Sequence, residues 1–454
     1  MSKKKSTSAK EITVSETKRL QGAAAPVSKP DTNAIGFFTA ALNAANKRLL
    51  SFFKCKYSAV PTTALFVLLM AITYALFGHH ILTKTFAIAF PFSFPFYLID
   101  YRAGFISRAL IGQIISFFTD SVSVYQILMI ARGVIIVSLV LQAGVAACAF
   151  KKAYINKSPL ICLLCVCFVI SPVTVASYSI YLGYLDPFNL ILTILYFYIS
   201  DKKISYFLTP VICFTGILLH YQFVFAFLPA ILSVHLYYVL KDKNRRGLKA
   251  VSFFVCVAVS AASAVYLILF SKSHIKLSAA ELYANMCEKF SDYHTWGLFE
   301  EYFTFYIYGD FNGQNYSNPV EFIGFLLNYA FDRLNTKSLC GYAATLVPVY
   351  AVIEYLYIYM FRRSEKEKRF TLFVFMLQPF VAAVTMVIST DQSRWAAASF
   401  FSNFALLFTL VKNKEPLLYE AAEKLKKPLV LTVIVAVFAA GYIITLLSMK
   451  KIML

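Results

Sequence analysis

Residues 206–240 read YFLTPVICFTGILLHYQFVFAFLPAILSVHLYYVL. A helix rises about 1.5 Å per residue and the hydrocarbon core of a bilayer is about 30 Å thick, so this run is far longer than one crossing needs. It is flanked by Asp201-Lys202-Lys203 on one side and by Lys241 to Lys249, with Arg245-Arg246, on the other. Basic loops stay on the cytoplasmic side of a membrane, which puts both ends inside and requires the chain to enter and return. The polar triplet His220-Tyr221-Gln222 then marks an outward turn, although neither Gly nor Pro makes one there. If residues 206–240 are instead one long helix, His220 lies in mid-membrane; in both cases the triplet needs partners.

The composition agrees with this reading. The chain has 454 residues, of which 59% are hydrophobic and 15% charged, and its mean hydropathy is +0.66. Such a sequence is excluded from the soluble class and reads as an all-α polytopic membrane protein. The net charge of +20 is divided among short clusters between apolar runs. Charges so placed orient a membrane chain, and no nucleic-acid partner is expected.

Applied along the chain, the spanning rule gives about eleven spans. Their limits are 61–78, 122–150, 159–176, 187–200, 206–220, 221–240, 249–270, 338–361, 370–390, 396–411 and 429–449. The runs 187–200 and 206–220 are short enough to suggest helices that stop partway, at a cavity. Residues 1–56 form a basic, disordered cytoplasmic arm with a short interfacial helix, residues 57–411 the transmembrane core, and residues 412–454 a cytoplasmic linker and last span. No cleavable signal is expected. Every dense basic cluster falls inside, and only Lys450-Lys451 conflicts with that topology.

The exterior loops are 79–121 and 271–337. In the first, His79 and His80 end a span, and residues 103–118 repeat Gly104, Arg108, Gly112 and Ser116 opposite Phe105, Ile106, Leu110, Ile114 and Phe117. That pattern predicts an amphipathic helix in the outer interface. The second loop, with Trp296, Glu300, Glu301, Asp310 and the sequon Asn315-Tyr316-Ser317, is the size of a lid. Cys287 and Cys340 flank it and would pair only in an oxidising compartment. Cys162, Cys165 and Cys167 have metal-like spacing but no acid or His beside them, so they read as buried apolar residues.

Four polar islands interrupt the apolar chain, and the topology places all of them outside. Asp100-Tyr101-Arg102 leaves an aromatic stretch, so burial raises the Asp100 carboxyl while Arg102 or Arg108 lowers it, a balance that suits a general base. Arg102 and Arg108 are suited to a lipid phosphate, or to anchoring at the interface. Asp186-Pro187 is either a helix cap or, with Tyr178, Tyr181 and Tyr184 before it, part of a sugar site. His220 is either a satisfied structural histidine or a site residue. Asp391-Gln392-Ser393-Arg394-Trp395 is the sharpest island, with Arg394 as a phosphate ligand, Trp395 as an interfacial or stacking surface, and Asp391 three residues from Arg394.

This layout, over residues 57–411, resembles the GT-C class of integral-membrane glycosyltransferases. The resemblance implies a bundle of helices, a first exterior loop with an acid followed by interfacial helices, and basic residues that hold a carrier phosphate. Asp100 matches the loop acid and residues 103–118 the interfacial helix. The chain departs from the class in having Asp-Tyr-Arg rather than paired acids and in lacking a large soluble domain after the bundle. It also resembles bacterial membrane proteins of surface-polysaccharide assembly, through Arg102-x-Gly104 and Asp391-x-x-Arg394-Trp395. The implied donor is a polyprenyl-phosphate-linked sugar, and the implied acceptor a glycan or lipid-linked glycan in a bacterial cytoplasmic membrane. Asp100 would be the base, Arg102 and Arg394 would neutralise the leaving phosphate, and Asp186, His220 and Asp391 would orient the sugar or a divalent cation. A polymerase or ligase with a lipid-diphosphate donor uses the same residue types. A transporter or flippase would instead spread polar groups through the membrane depth.

Overall fold

The computed structural model describes residues 59–84, 93–105, 108–180, 182–220, 222–241, 246–266, 277–292, 324, 328, 336–388 and 392–450. The basic arm 1–56 therefore lies outside the described residues, as do Tyr221, Trp296, Glu300, Glu301, Asp310, the Asn315 sequon and Asp391. The described residues are helical apart from connecting turns and one isolated β-bridge.

In chain order the helices are α1 (Ala59–Lys84), α2 (Pro95–Leu98), α3 (Leu110–Ser116), α4 (Val124–Ile155), α5 (Pro159–Ile170), α6 (Pro172–Ile180), α7 (Asp186–Ile199), α8 (Ser205–Leu219) and α9 (Gln222–Ala226). They continue with α10 (Leu228–Lys241), α11 (Arg246–Val265), α12 (Ala279–Lys289), α13 (Thr336–Arg363), α14 (Lys366–Ile388), α15 (Gln392–Lys412), α16 (Pro416–Lys424) and α17 (Pro428–Lys450). Proline supplies many of the starts: α5, α7, α16 and others carry it in the first turn, where the missing N–H costs nothing. Ser123 starts α4 with a capping box, its hydroxyl accepting from the N–H of Gln126 while the Gln126 side chain returns to the Ser123 N–H.

Six stretches are long and apolar enough to cross a membrane: Val124–Ile155, Pro159–Ala176, Arg246–Val265, Thr336–Arg363, Gln392–Lys412 and Pro428–Ser448. They mark an integral membrane protein. Four more, Val60–Leu76, Asp186–Ile199, Ser205–Leu219 and Leu228–Lys241, are apolar but short.

The run 206–240 is two helical arms rather than one. The backbone turns extended at His220 (φ −164°, ψ 129°), and α8 ends there. The 159–176 span stands with the expected limits, although its helix breaks at Ser171, before Pro172. Two expectations are corrected. Helix α1 continues through His79 and His80 to Lys84. The interfacial helix expected over 103–118 is helical only at 110–116, because the backbone reverses at Gly104 (φ 125°) and Arg108 (φ 71°). Its faces are still as expected: Phe105, Ile114 and Phe117 are exposed, while Gly112 is buried against Ile99.

Helix α15 is the axis of the bundle, with 89% of its apolar stretch buried against 22% for α11 and α17. It packs on α4, α6, α7, α10, α13 and α14. Phe168 of α5 leans on its Phe400, Phe404 and Phe408, with ring centroids 5.0–6.0 Å apart. At the edge, α17 meets α13 through small residues, where Thr445 Oγ1 donates to the Gly341 carbonyl at 2.5 Å and lies 2.7 Å from Thr345 Oγ1. In lipid such close packing and hydroxyl bonding replace the hydrophobic effect as the source of association.

Candidate functional site

Helix α7 has fourteen residues and α8 fifteen, so each is about 21–23 Å long, short of the hydrocarbon thickness. The basic ends of α7 and α15 are tied together where Lys412 Nζ donates to Asp201 Oδ1 (2.7 Å) and to the Phe197 carbonyl (3.1 Å). The far end of α7, at Asp186, meets the start of α15 and the end of α8 at His220. Three of the four islands meet there.

Arg394, in the first turn of α15, donates from Nε to Asp186 Oδ2 at 2.8 Å and from Nη2 to Asp186 Oδ1 at 3.1 Å. This is the forked geometry in which guanidinium and carboxylate bind most firmly. Nη2 also donates to Gln222 Oε1 at 3.0 Å and lies 3.3 Å from His220 Nε2, and the guanidinium sits 4.4 Å from the Tyr184 ring centroid. His220 Nδ1 accepts the Gln222 backbone N–H at 2.9 Å, which leaves the proton of a neutral ring on Nε2, facing the arginine. Two donors thus stand side by side, and the Asp186 carboxylate balances the charge of the guanidinium. Asp186, His220, Gln222 and Arg394 are 6%, 3%, 1% and 5% exposed.

Asp186 is not a cap. Helix α7 has Leu185 at its N-cap, without a side-chain bond, and the Asp186 carboxylate goes to Arg394 instead. Next to the pair is a cavity of about 10 Å³ lined by Gln142, Tyr178, Asp186, Phe227, Arg394 and Phe401, room for about one water. Behind it Tyr178 Oη lies 2.6 Å from Ser138 Oγ and accepts from Gln142 Nε2 at 2.8 Å. Among the described residues, Gln222 Nε2 and, beside Arg394 in the chain, Gln392 Oε1 and Ser393 Oγ are buried with no hydrogen-bond partner. Buried polar groups left so are uncommon and mark places where something else binds.

Asp100 belongs to a separate cluster. Its carboxylate accepts from the Arg102 backbone N–H (3.0 Å), from Arg102 Nε (2.8 Å) and from Lys289 Nζ. Burial pushes its carboxyl up, but the bonds from Lys289 and Arg102 outweigh this and hold it below its ordinary value. In this arrangement it is a weak base. Lys289 ends α12, whose Leu282 and Met286 are buried along with Phe290 just after it, and the strand-like contact between Val122 and Phe290 and the bond from the Val124 N–H to Asp292 (2.8 Å) complete a clasp between residues 98–124 and 277–292.

An aromatic relay joins the two clusters. Phe94 rests on Phe290 (5.2 Å), Phe96 on Tyr184 (5.8 Å), and Tyr184 on Arg394. Arg108 braces it, with its guanidinium 5.2 Å from the Phe96 ring and its N–H donating to the Leu218 carbonyl at 3.0 Å. Trp395 faces away from the cluster, toward Phe225 (6.4 Å), which is 42% exposed. Among the described residues no three His, Cys, Asp or Glu side chains are grouped to hold a metal ion.

Lys289→Ala is expected to release the clasp, seen as faster proteolysis of residues 277–292 with the rest of the chain protected. The clasp also has a defined pH window. Because the folded Asp100 carboxyl is lowered, its contribution is fully present above the ordinary value of 3.8 and is lost as pH falls through the lower folded value. Proteolysis rates that rose between pH 7 and pH 5 would contradict the assignment.

Sequence reasoning missed Gln142, Ser138 and Lys289 as site residues, while Tyr178 and Tyr184 read as companions of Asp186. Gln142 carried a signal, an amide deep in the apolar run 122–150; Lys289 carried none, because only the fold brings it to Asp100. Comparison with protein-family models, with curated proteins and with solved structures finds no match to this chain.

Proposed function

We propose that the chain is a membrane glycosyltransferase with about eleven spans, laid out like the GT-C class. It moves a sugar from a polyprenyl-phosphate carrier to a glycan or lipid-linked acceptor at the exterior face of a bacterial cytoplasmic membrane. The observation that carries this reading is the buried Asp186–Arg394 pair with His220 and Gln222, assembled at the ends of two helices shorter than the hydrocarbon thickness. An acceptor hydroxyl attacks the anomeric carbon, the bond from that carbon to the phosphate oxygen breaks, and the proton passes to a carboxylate. Arg394 and Arg102 take up the charge that collects on the phosphate.

The cavity beside the pair is too small for a sugar, so the reaction requires opening. Withdrawal of Lys289 would remove one of the bonds that hold the Asp100 carboxyl down, leaving those from Arg102, and would make it a stronger base than it is in the closed clasp. A second reading is favoured by the Ser138–Gln142–Tyr178 group, which carries polar side chains deeper than the islands: a flippase, which moves the same lipid without breaking a bond.

Proteoliposomes supplied with radiolabelled polyprenyl-phosphate sugars and bacterial glycolipid acceptors separate the two. Label is expected to pass to the acceptor, and Arg394→Lys, which keeps the charge but loses the fork, is expected to slow this by about 100-fold. Label that crosses the bilayer while still on its carrier would overturn transfer in favour of flipping.

A further inference from the structure

A second cavity lies away from the polar cluster and has no part in the proposed reaction. It holds about 350 Å³ and is lined by Leu232 and Leu236 of α10, Phe253 of α11, and Val374, Leu377 and Val381 of α14. Helix α10 packs on both neighbours, and the cleft opens between them toward the lipid, where Leu377 is 42% exposed. Gln378 is the amide in its wall. Walls of this kind take a hydrocarbon chain.

The three helices that form the cleft all have basic ends on the same side. Helix α10 ends in Lys241, α11 begins at Arg246 and carries Lys249, and α14 begins with Lys366, Lys368 and Arg369. These cations outnumber the acids around them, Glu365, Glu367 and Glu415. The pairs that do form, Arg246 with Glu367 at 3.3 Å and Lys241 and Lys368 with Glu415, use only part of the charge. Lys366 and Arg369 are exposed, and two of the three helices present their positive N-terminal ends here.

We infer that this cleft is a binding site for an anionic phospholipid of the leaflet on the basic side, with an acyl chain between α10, α11 and α14 and the phosphate at the Lys366–Arg369 rim. An apolar slot alone would accept any lipid. The rim makes it selective, since each basic residue near an anionic headgroup adds electrostatic attraction. The site would tie α14 to α10 and α11, the two helices that lead on from the Gln222 end of the polar cluster.

Protein extracted in mild detergent and exchanged against equimolar phosphatidylglycerol and phosphatidylcholine tests this by native mass spectrometry. The wild type is expected to retain one phosphatidylglycerol with about tenfold preference. Lys366→Gln with Arg369→Gln changes only exposed side chains and is expected to keep a lipid but lose the preference; Val374→Trp is expected to lose the lipid. Retention in the ratio supplied, or a preference undiminished in the double variant, would overturn the assignment.

Discussion

Arg394→Ala is expected to destabilise the protein by about 3–5 kcal/mol, measured as loss of folded protein in detergent on heating or denaturant titration. The cost does not come from the value of the ion pair itself. Removing the guanidinium leaves Asp186 charged and 6% exposed, with Gln222 Oε1 deprived of its donor as well. An uncompensated carboxylate at that depth can neither reach water nor find another cation among the described side chains that touch it. Asp186→Leu should cost a similar amount for the complementary reason, since Arg394 would then be the stranded charge. The combination Asp186→Leu with Arg394→Met removes both charges and is expected to recover most of the loss, because well-packed apolar replacements of a buried pair are often neutral.

The double variant also separates structure from chemistry. If it regains stability but transfers no sugar, the pair is part of the site. If it regains both, the cluster is a structural staple and the proposed function fails at its main observation. A double variant as unstable as either single one would instead mean that the fork's contacts to His220, Gln222 and Tyr184 carry the stability.

Gly112→Ala is the second large effect. A Cβ at this position would stand 1.9 Å from the Ile99 carbonyl oxygen and 2.8 Å from its carbon, and both are backbone atoms that cannot rotate away. Helix α3 must therefore lift off the 93–103 segment. With it goes the bond from the Tyr101 N–H to Gln113 Oε1 (3.0 Å), which positions the residue beside Asp100. Overpacking of this severity lies at or above the upper end of the usual range of about 1–3 kcal/mol. The expected readout is a clasp released as in Lys289→Ala, with α12 open to protease, together with a lower melting temperature. Gly133→Ala and Gly144→Ala supply the control, because both lie inside α4 with nothing within 4 Å of the added carbon. There the same substitution is expected to stabilise by about 0.5–1 kcal/mol, through helix propensity alone. If Gly112→Ala behaved like these two, the close seating of α3 on Ile99 would be wrong.

These predictions show where sequence reasoning is strong in this protein and where it stops. Helices read out well because their signal is local: an apolar run of sufficient length, a proline at its start and lysines at its end specify the element without reference to the rest of the chain. The run 206–240 was resolved in this way, its polar triplet marking the break at His220. The failure over 103–118 is equally local in origin. A helical period was present, but the reversal at Arg108 answers to a long-range bond to Leu218, which no window of the sequence contains.

The site follows the same division. That Asp186, His220 and Arg394 are costly to bury, and so require partners, follows from their chemistry and their apolar surroundings. Which partner each takes does not. Arg394 has Asp391 three residues away in sequence, yet the fork closes on Asp186, 208 positions distant; Asp100 has Arg102 beside it, yet also draws in Lys289, 189 positions away. The sequence by itself determined that this is a helical membrane protein, where its helices run and which residues must be paired. Only the tertiary structure decided the pairing, splitting the four islands into a buried cluster and an outer clasp, because ion pairs and close contacts depend on ångström distances that helix packing sets and local periodicity does not.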